Sequence, residues 1–300
     1  MSGGRQMRSI MWRVCLALVP GIAAMTYVWG WGVLWNVAWL ILFCCALESL
    51  FTLSSRTTTV TDGSAVLTAL LMAICLPPFV GLHVLVVAAL FAIGLAKFAY
   101  GGLGRNLFNP AMVGYAAVLV SFPTALSQWP NASDALSGAT LLTEFRYREG
   151  LTSAEFLLNV TGRWEAHVWL ALAFGLGGVA LLVMKIIHWR LPAAVTVGIA
   201  LAAALGYDQG SSVSNGGLIF HLVCGGTVAA MFFVVTDPVT MPEDHNYQWL
   251  FGIIIGLLLY GIRTWGAYPD GIAFAVLLAN CLTPIFDRLA RYQTLRRSAT

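Results

Sequence analysis

Charged side chains are scarce in this 300-residue chain. Lys, Arg, Asp and Glu together make up 10% of the residues and hydrophobic residues 59%, whereas soluble globular domains contain roughly 25% charged residues. So little charge cannot cover the surface of a water-soluble protein of this size. The high hydrophobic content also excludes intrinsic disorder, which requires low hydrophobicity. The composition therefore predicts a protein that lies within a lipid bilayer.

Closely spaced metal-binding motifs are also absent. The six cysteines lie in apolar tracts without a C-x-x-C pair, and the five histidines show no ligand spacing. Zinc sites and iron–sulfur clusters require such closely spaced ligands. Basic residues stand at the ends of apolar tracts instead of forming one patch, which argues against nucleic-acid binding. We therefore expect buried cysteines that behave as small hydrophobic residues, and no metal site.

Long tracts of the chain contain no charged residue, for example 14–47 and 63–96. A membrane-spanning helix needs about 20 apolar residues, so the longest tracts hold more than one helix. Divided at Gly, Pro and polar positions, the tracts give about ten spans and predict an all-α polytopic membrane protein. The predicted spans are 12–30, 33–53, 64–80, 82–100, 108–122, 166–187, 191–207, 217–235, 247–262 and 271–286.

The basic residues indicate which loops face the cytoplasm. If the N-terminus is inside, ten crossings place only Arg146, Arg148, Arg163 and Arg263 outside, which leaves twelve of the 16 Lys and Arg residues inside. Cytoplasmic loops of membrane proteins are rich in Lys and Arg. We therefore expect both termini in the cytoplasm and the polar segment 123–163 outside it, in the periplasm if the cell is Gram-negative.

That polar segment divides the chain into two halves with five spans each, 1–122 and 164–300. The third span ends near Pro77 and Pro78, and its counterpart, the eighth span, ends near Pro238. Helices interrupted at matching places are typical of inverted repeats with a binding site between the halves. The simpler alternative is that each proline only ends its helix. The sequence alone leaves both interpretations open.

The most informative stretch of the polar segment is Asp-Ala-Leu-Ser-Gly-Ala-Thr, which runs from Asp134 to Thr140. Ser137, Gly138 and Ala139 are small and leave the Thr140 hydroxyl uncrowded, and Asp134 can serve as an anchor for a modifying enzyme. Such a hydroxyl is either a surface group that another protein modifies or part of an ordinary Asx or Ser turn. The residues by themselves do not decide between the two.

This heptad resembles the flavinylation motif of a family of membrane proteins with two branches. One branch is RnfD, from Rnf electron transport complexes, and the other is NqrB, from Na⁺-pumping NADH:quinone reductases. Three other stretches resemble the same family, namely 62–68 with Pro77–Pro78, 101–115, and 236–240. The resemblance covers most of the chain. Only about eleven residues precede the first predicted span, which favours the Rnf type because NqrB carries a longer N-terminal extension.

The resemblance implies FMN joined to Thr140 by a phosphoester that a flavin transferase forms. It also implies a ten-helix repeat fold similar to that of urea transporters. The chain would be one component of a translocase that passes electrons between reduced ferredoxin and NAD⁺ and moves Na⁺ or H⁺. Implied partners are iron–sulfur subunits, a second flavinylated subunit, small membrane subunits and lipid. Some relatives hold a second, noncovalent flavin such as riboflavin, whose contacts the resemblance does not assign.

Two further groups of residues are candidates for chemistry in the membrane part. A glycine-rich stretch either holds an anionic or flavin-like ligand or forms a turn that re-enters the bilayer. Polar residues near the spans suggest an ion path, because an unpaired charge in a bilayer is costly; local pairing or capping is the alternative. The first group is Gly101, Gly102, Gly104, Arg105, Asn106 and Asn109, and the second is Glu48, Asp237 and Thr240.

Two other functions stay open at this level. One is a channel or transporter for a small solute, because the implied fold resembles urea transporters. In that case the chain would bind no flavin, and the heptad that ends at Thr140 would have no role. The other is a structural anchor for redox partners, which would assemble with them while Thr140 stayed unmodified.

Overall fold

The computed structural model describes residues 2–55, 62–102, 104–130, 137–138, 140–268 and 270–298. In these residues the fold is helical apart from one short two-stranded ladder. Five helices are long and apolar enough to cross a membrane, and five further apolar helices are 10–17 residues long. The last of the five long helices, Ile272–Arg296, contains a turn at residues 281–282 and is named below as two helices. Each of these ten helices occupies the place of one predicted span. The prediction of an all-α polytopic membrane protein is therefore confirmed.

The helices are named here in chain order. The first half contains α1 (Ser2–Trp29), α2 (Gly32–Ser55), α3 (Ser64–Ala73), α4 (Leu82–Phe98) and α5 (Pro110–Ser121). The segment that follows contains α6 (Pro123–Ser127), strands β1 (Trp129–Pro130) and β2 (Ser137–Gly138), α7 (Leu141–Arg146) and α8 (Ser153–Asn159). The second half contains α9 (Thr161–Val183), α10 (Arg190–Gly206), α11 (Leu218–Val234), α12 (His245–Trp265), α13 (Ile272–Asn280) and α14 (Thr283–Ser298).

Helix α3 is much shorter than its predicted span, 64–80. It ends at Ala73, before the two prolines, and the chain turns through the residues that follow. The buried Asn36 of α2 holds this turn, because its Nδ2 donates a hydrogen bond to the Pro77 carbonyl at 2.7 Å. The prolines therefore mark the region of the break, but the helix stops earlier than their positions indicate.

Helix α11 is broken in its middle, where the sequence analysis did not place a break. Gly225 and Gly226 have φ angles of 66° and 69°, which belong to the left-handed region that favours glycine. The break separates Leu218–Val223 from residues 227–234. A glycine pair therefore interrupts the eighth apolar helix, which ends at Val234, shortly before Pro238 as predicted.

The two halves pack through equivalent helices. Helix α1 packs on α9, and α5 packs on α13; these are the first and sixth, and the fifth and tenth, of the apolar helices. A pseudo-twofold axis between two five-helix repeats would bring such equivalent helices together. Gly256 of α12 packs directly on the backbone of α10, where a Cβ would overlap the Val195 carbonyl. This contact is the helix packing that a G-x-x-x-G spacing predicts.

The described residues of the polar segment 123–163 contribute to a small core of their own. The core consists of Leu141, Leu142, Phe145, Phe156, Val160, Phe220 and Cys224. The last two residues belong to the region of the α11 break, so α7 and α8 rest on the N-terminal half of that helix. Helix α9 begins at Thr161, three residues before the predicted start of the second half. Residues 140–160 of this segment thus form a cap on the second half.

Candidate functional site

Thr140 lies at the N-terminal end of α7, in the folded cap. Its Oγ1 accepts a hydrogen bond from the Thr143 backbone N–H at 3.2 Å, and the two threonine hydroxyls are 2.9 Å apart. A threonine with extended backbone geometry is a favourable N-cap residue because it satisfies a free backbone N–H group. The hydroxyl that the motif singles out therefore has a defined position.

The other motif residues are only partly described. Ser137 and Gly138 form β2, which pairs antiparallel with Trp129 and Pro130 of β1. Asp134 and Ala139 lie outside the described residues, so the predicted role of Asp134 as an anchor stays a prediction. The ladder places the backbone of Ser137 and Gly138 shortly before Thr140 along the chain, next to the aromatic residue Trp129.

Two arginines fix the helix that Thr140 caps. Arg163 of α9 makes a bidentate ion pair with Glu144 of α7, with N–O distances of 2.5 and 2.6 Å. Arg146 donates a hydrogen bond to the Gly266 carbonyl in the loop after α12. Bidentate arginine–carboxylate pairs restrict orientation as well as distance. Helix α7 is therefore held against the second half by two contacts, one with α9 and one with the loop after α12.

Arg148 joins the end of α7 to the loop before α11. Its guanidinium donates to the carbonyls of Phe145 at 2.8 Å and Leu151 at 2.9 Å, and to that of Ser214. It also lies 4.0 Å from the centroid of the Phe145 ring, which is a cation–π contact. Partial burial lowers the pKa of Arg148, but an arginine remains protonated at physiological pH. These contacts tie the end of α7 to the loop before α11.

Thr140 lines a cavity of about 150 Å³ between the two halves, here called the outer cavity. Its wall includes the α11 break at Gly225 and Gly226, and Asp270 before α13. Two of the indole rings are in edge contact, with 4.8 Å between the centroids of Trp29 and Trp129. The aromatic residues of the wall are Trp29, Tyr115, Trp129, His167 and Phe174.

His167 lies in this wall, and the hydrogen bond that one of its ring nitrogens makes is defined. Its Nδ1 lies 2.8 Å from the Arg163 carbonyl. A carbonyl oxygen can only accept, so Nδ1 carries the proton in this contact and the neutral ring keeps Nε2 as an acceptor. The outer cavity thus combines flat apolar surfaces with a few polar groups, which is typical of small-molecule and cofactor sites.

Arg263 anchors the α11 break behind the cavity wall. Its side chain is 1% exposed. Its guanidinium donates to the carbonyls of His221 at 2.8 Å, Gly225 at 3.2 Å and Cys224 at 3.3 Å, and contacts Asp270 Oδ1 at 3.1 Å. A buried charge is tolerated when it is paired and hydrogen-bonded. Arg263 therefore joins α12, the α11 break and the start of α13.

Asp270 completes this arrangement at the cavity wall. Its Oδ1 also accepts a hydrogen bond from the Ile272 backbone N–H at 3.2 Å. Burial raises the pKa of the Asp270 carboxyl, and the Arg263 guanidinium opposes that rise. The hydrogen bonds and the ion pair favour the charged form, so we treat the pair as an ionised arginine and carboxylate.

A second cavity of about 130 Å³, here called the inner cavity, lies at the other end of the same helices. Helices α1, α3, α5, α9 and α11 contribute residues to both cavities or to the turns that end at them. Phe174 lines the outer cavity and Phe233 the inner one, and their rings are in edge contact with centroids 6.3 Å apart. An apolar partition formed by these two rings therefore lies between the walls of the two cavities.

The glycine-rich candidate site divides between the inner cavity and the surface. Asn106 and Asn109 line the inner cavity, and the buried Oδ1 of Asn106 has no hydrogen-bond partner among the described residues. Four residues of that candidate site do not line the cavity, namely Gly101, Gly102, Gly104 and Arg105. The three glycines have positive φ angles, so they shape the turn. Of this candidate site, only the two asparagines face the inner cavity.

Glu48, a predicted ion-path residue, is paired inside the protein. Its Oε1 accepts a hydrogen bond from Nζ of Lys97, which also donates to Ser64 Oγ at 2.6 Å. The side chains of Glu48 and Lys97 are 4% and 3% exposed. Lys97 and Ser64 line the inner cavity, whereas Glu48 stands behind them. The structure thus contains the local partner that the alternative interpretation of Glu48 required.

Asp237 lines the inner cavity and also closes a turn. Its carboxylate accepts hydrogen bonds from Asn109 Nδ2 at 3.4 Å, Thr240 Oγ1 at 3.2 Å and the Val239 N–H at 3.1 Å. Burial raises the pKa of Asp237. Thr240 does not line the cavity; its carbonyl accepts from Asn280 Nδ2 at 3.2 Å. The structure therefore places Asp237 at the candidate path and Thr240 in its support.

Comparison with known proteins agrees with this architecture. The model of the NQR2, RnfD, RnfE family matches residues 1–296. The chain belongs to the NQR2, RnfD, RnfE family. It is 39% identical to the D subunit of the ion-translocating oxidoreductase complex of Cellvibrio japonicus (strain Ueda107), over 95% of this chain and 90% of the relative.

Other members of the NQR2, RnfD, RnfE family give similar figures. The protein of the same name from Pseudomonas aeruginosa (strain UCBPP-PA14) is 37% identical, over 97% of this chain and 92% of the relative. The one from Aeromonas hydrophila subsp. hydrophila is 36% identical, over 96% of this chain and 94% of the relative. The family resemblance stated from the motifs is therefore confirmed.

Sequence reasoning missed the roles of three charged residues in this family member. Lys97, Arg263 and Asp270 occur near helix ends, where charged residues are expected at membrane interfaces. Only the structure shows that the side chains of Lys97 and Arg263 are buried and form ion pairs with Glu48 and Asp270, respectively. One signal was available: Lys97 and Arg263 occur near the end of the fourth and the ninth predicted spans, which are counterparts in a five-plus-five repeat.

Proposed function

We propose that this chain is the RnfD-type membrane component of an ion-translocating oxidoreductase complex. It is part of a redox-driven translocase and not an enzyme alone. The complex passes electrons between reduced ferredoxin and NAD⁺, and couples that transfer to movement of Na⁺ or H⁺. The family membership and the names of its relatives support this assignment.

The proposed cofactor is FMN, esterified through its phosphate to Thr140. One observation carries this proposal: the Thr140 hydroxyl stands at an aromatic-lined cavity between the two halves. A flavin needs flat apolar walls for its ring and polar groups at the ring edge. Trp29, Trp129 and His167 supply both kinds of contact at this cavity. The residues present therefore fit the cofactor.

FMN, when bound, supplies reversible electron transfer that no side chain offers. The chain's own residues bind and orient it. Thr140 provides the ester oxygen, and the Arg163–Glu144 ion pair fixes the helix that begins beside it. Trp129, on β1, belongs to the aromatic wall of the outer cavity, which would limit the access of water to the bound cofactor. The cap thus holds the cofactor at one place.

The inner cavity supports the proposed ion path and second flavin. Asp237, which accepts a hydrogen bond from Asn109 Nδ2, offers carboxylate oxygen atoms to a cation at one end of the apolar partition. Asn106 offers an unpartnered Oδ1 to the N–H group of a noncovalent flavin such as riboflavin. We assign the cation and the second flavin to the inner cavity, where they would bind as alternatives or one after the other. Asp237 and Asn106, the residues that favour each ligand, line the same cavity.

The proposed location is the bacterial inner membrane, with both termini in the cytoplasm and the cap on the periplasmic face. In that orientation the outer cavity and Thr140 face the periplasm. One flavin at that face cannot by itself connect the two sides of a hydrocarbon core about 30 Å thick. The remaining partners are therefore iron–sulfur subunits, a second flavinylated subunit and small membrane subunits. A flavin transferase modifies Thr140 during maturation.

Alternatives within the fold are separable from this proposal. An NqrB-like component of a Na⁺-pumping NADH:quinone reductase would carry the same ester but exchange electrons with a quinone. A small-solute channel would conduct without any flavin, and a structural anchor would assemble with Thr140 bare. The rigid docking of α7 through Arg146, Arg148 and Arg163 favours a site over an unused surface turn.

The experiment expresses the chain with a flavin transferase and measures in-gel flavin fluorescence after denaturation. Wild-type protein is expected to fluoresce and Thr140→Val to lose the signal. Thr143→Val is the matched control, because it removes the neighbouring hydroxyl at 2.9 Å but leaves the acceptor oxygen. Fluorescence that persists in Thr140→Val, or is absent from the wild type, would overturn the assignment.

A further inference from the structure

Arg263 and Asp270 place opposite charges at the wall of the outer cavity. Asp270 lines the cavity and its side chain is 21% exposed, whereas the 1% exposed Arg263 lies behind it. Charges in such low-dielectric surroundings are screened weakly and act over longer distances than charges at a water-exposed surface. The pair as a whole is neutral. The electrostatic potential in the cavity therefore depends on both members.

The guanidinium is fixed close to the helix that Thr140 caps. Gly225 separates the two, since a Cβ on Gly225 would overlap both the Arg263 guanidinium and Leu142 of α7. Thr140, Leu142, Gly225 and Asp270 all line the same cavity. Because backbone carbonyls hold the guanidinium on several sides, it cannot turn away when its carboxylate partner is changed.

We infer that Arg263 and Asp270 form a compensated charge pair beside the flavin on Thr140, in which each residue offsets the effect of the other on the reduction potential of that flavin. This inference rests on the proposed function, because it requires that flavin. Electrons added to a flavin ring bring negative charge, which a nearby cation stabilises and a nearby carboxylate opposes. In the native pair the two effects offset each other. Removing either member exposes the other.

The test is a redox titration of the covalent flavin in the intact complex, followed by visible absorbance. Asp270→Asn leaves an uncompensated guanidinium and is expected to raise the midpoint potential. Arg263→Gln leaves the carboxylate and is expected to lower it. The double variant restores neutrality and is expected to return the potential towards that of the wild type. Structural damage alone would not give shifts of opposite sign that cancel in the double variant.

Two controls complete the design. Asp270→Glu keeps the charge and is expected to leave the potential near the wild-type value. Glu155→Gln removes a carboxylate from the exposed surface of α8, away from the cavity lining, and is also expected to leave it unchanged. If Arg263→Gln does not assemble, because several backbone carbonyls lose their donor, the comparison of Asp270→Asn with Asp270→Glu still decides.

Failure of the inference differs from failure of the proposed function. In-gel fluorescence and peptide mass are measured first for every variant. A wild-type complex without flavin on Thr140 would overturn the proposed function, and the inference with it. A flavin attached to Thr140 whose potential is the same in Asp270→Asn and wild type, or shifts downwards, would overturn the inference alone.

Discussion

The rings of Phe174 and Phe233 meet edge to face, with centroids 6.3 Å apart, between the outer and the inner cavity. Both side chains are buried. Phe174 belongs to α9, and Phe233 lies in a π-helical turn of α11. A π-turn inserts an extra residue into a helix and often marks a functional position. The apolar contact between these rings therefore lies between the two cavities.

Removing one of these rings should open a passage between the two cavities. Phe233→Ala is expected to increase passive Na⁺ or H⁺ leak through the complex in proteoliposomes, because an apolar constriction blocks ions by excluding water. Phe91→Ala, at a partly exposed position of α4, is the matched control. Equal leak in the two variants and the wild type would show that this contact is not the barrier.

The Lys97–Glu48 pair should be far more sensitive to loss of one partner than of both. Lys97→Met leaves Glu48 buried without its cation, and breaking a buried pair in this way costs about 3–5 kcal/mol. The double change Lys97→Met with Glu48→Gln is expected to recover much of that loss. Thermal unfolding of the detergent-solubilised complex measures both effects. A double variant no more stable than Lys97→Met would contradict the pairing.

The capping box of α8 predicts a pH dependence of the cap. Hydrogen bonds from Thr152 lower the pKa of the exposed Glu155. A carboxylate with a lowered folded-state pKa contributes stability above its unfolded pKa, about 4.3 for Glu, and loses it as the pH falls through the folded value. We expect α8 to be protected from hydrogen exchange at neutral pH and to lose protection in acid.

Thr152→Ala removes the hydroxyl that lowers this pKa. Relative to wild type at the same pH, the variant is expected to exchange faster at neutral pH, with the difference disappearing in acid. Thr161→Ala is the control, since that hydroxyl bonds to backbone carbonyls. A difference between Thr152→Ala and wild type that is as large in acid as at neutral pH would argue against the capping box as its cause.

Asn106 tests the ligand of the inner cavity. Asn106→Ala removes the unpartnered Oδ1 and is expected to lower the noncovalent flavin content of the purified complex several-fold. Covalent fluorescence at Thr140 should stay unchanged. Asn246→Ala, an exposed asparagine at the start of α12, serves as control. Unchanged noncovalent flavin in Asn106→Ala would remove this residue from the site.

The number and order of the membrane helices could be predicted because they depend on runs of apolar residues. The ends of α1 and α14 could not: both helices continue into polar sequence beyond the predicted spans 12–30 and 271–286. Apolar length alone does not show where a helix leaves the bilayer. The α11 break was missed for another reason, because Gly225 and Gly226 resemble ordinary packing glycines until their φ angles are known.

The candidate site was predicted unevenly. Thr140 was recognised because its heptad carries a specific pattern, and the structure adds the cavity beside it. Arg263 and Asp270 carry no pattern, since their relation depends on how α12, α13 and the α11 break meet in three dimensions. Glu48 was recognised as costly, but its partner Lys97 lies 49 positions away along the chain. Long-range pairs of this kind require the fold.

The most direct test of the account is tandem mass spectrometry of the peptide that contains Thr140, taken from the native complex. The account predicts a mass increase equal to FMN less one water, located on the Thr140 side chain. A peptide that is unmodified at Thr140 in an active complex, or that carries the flavin on another residue, would contradict it.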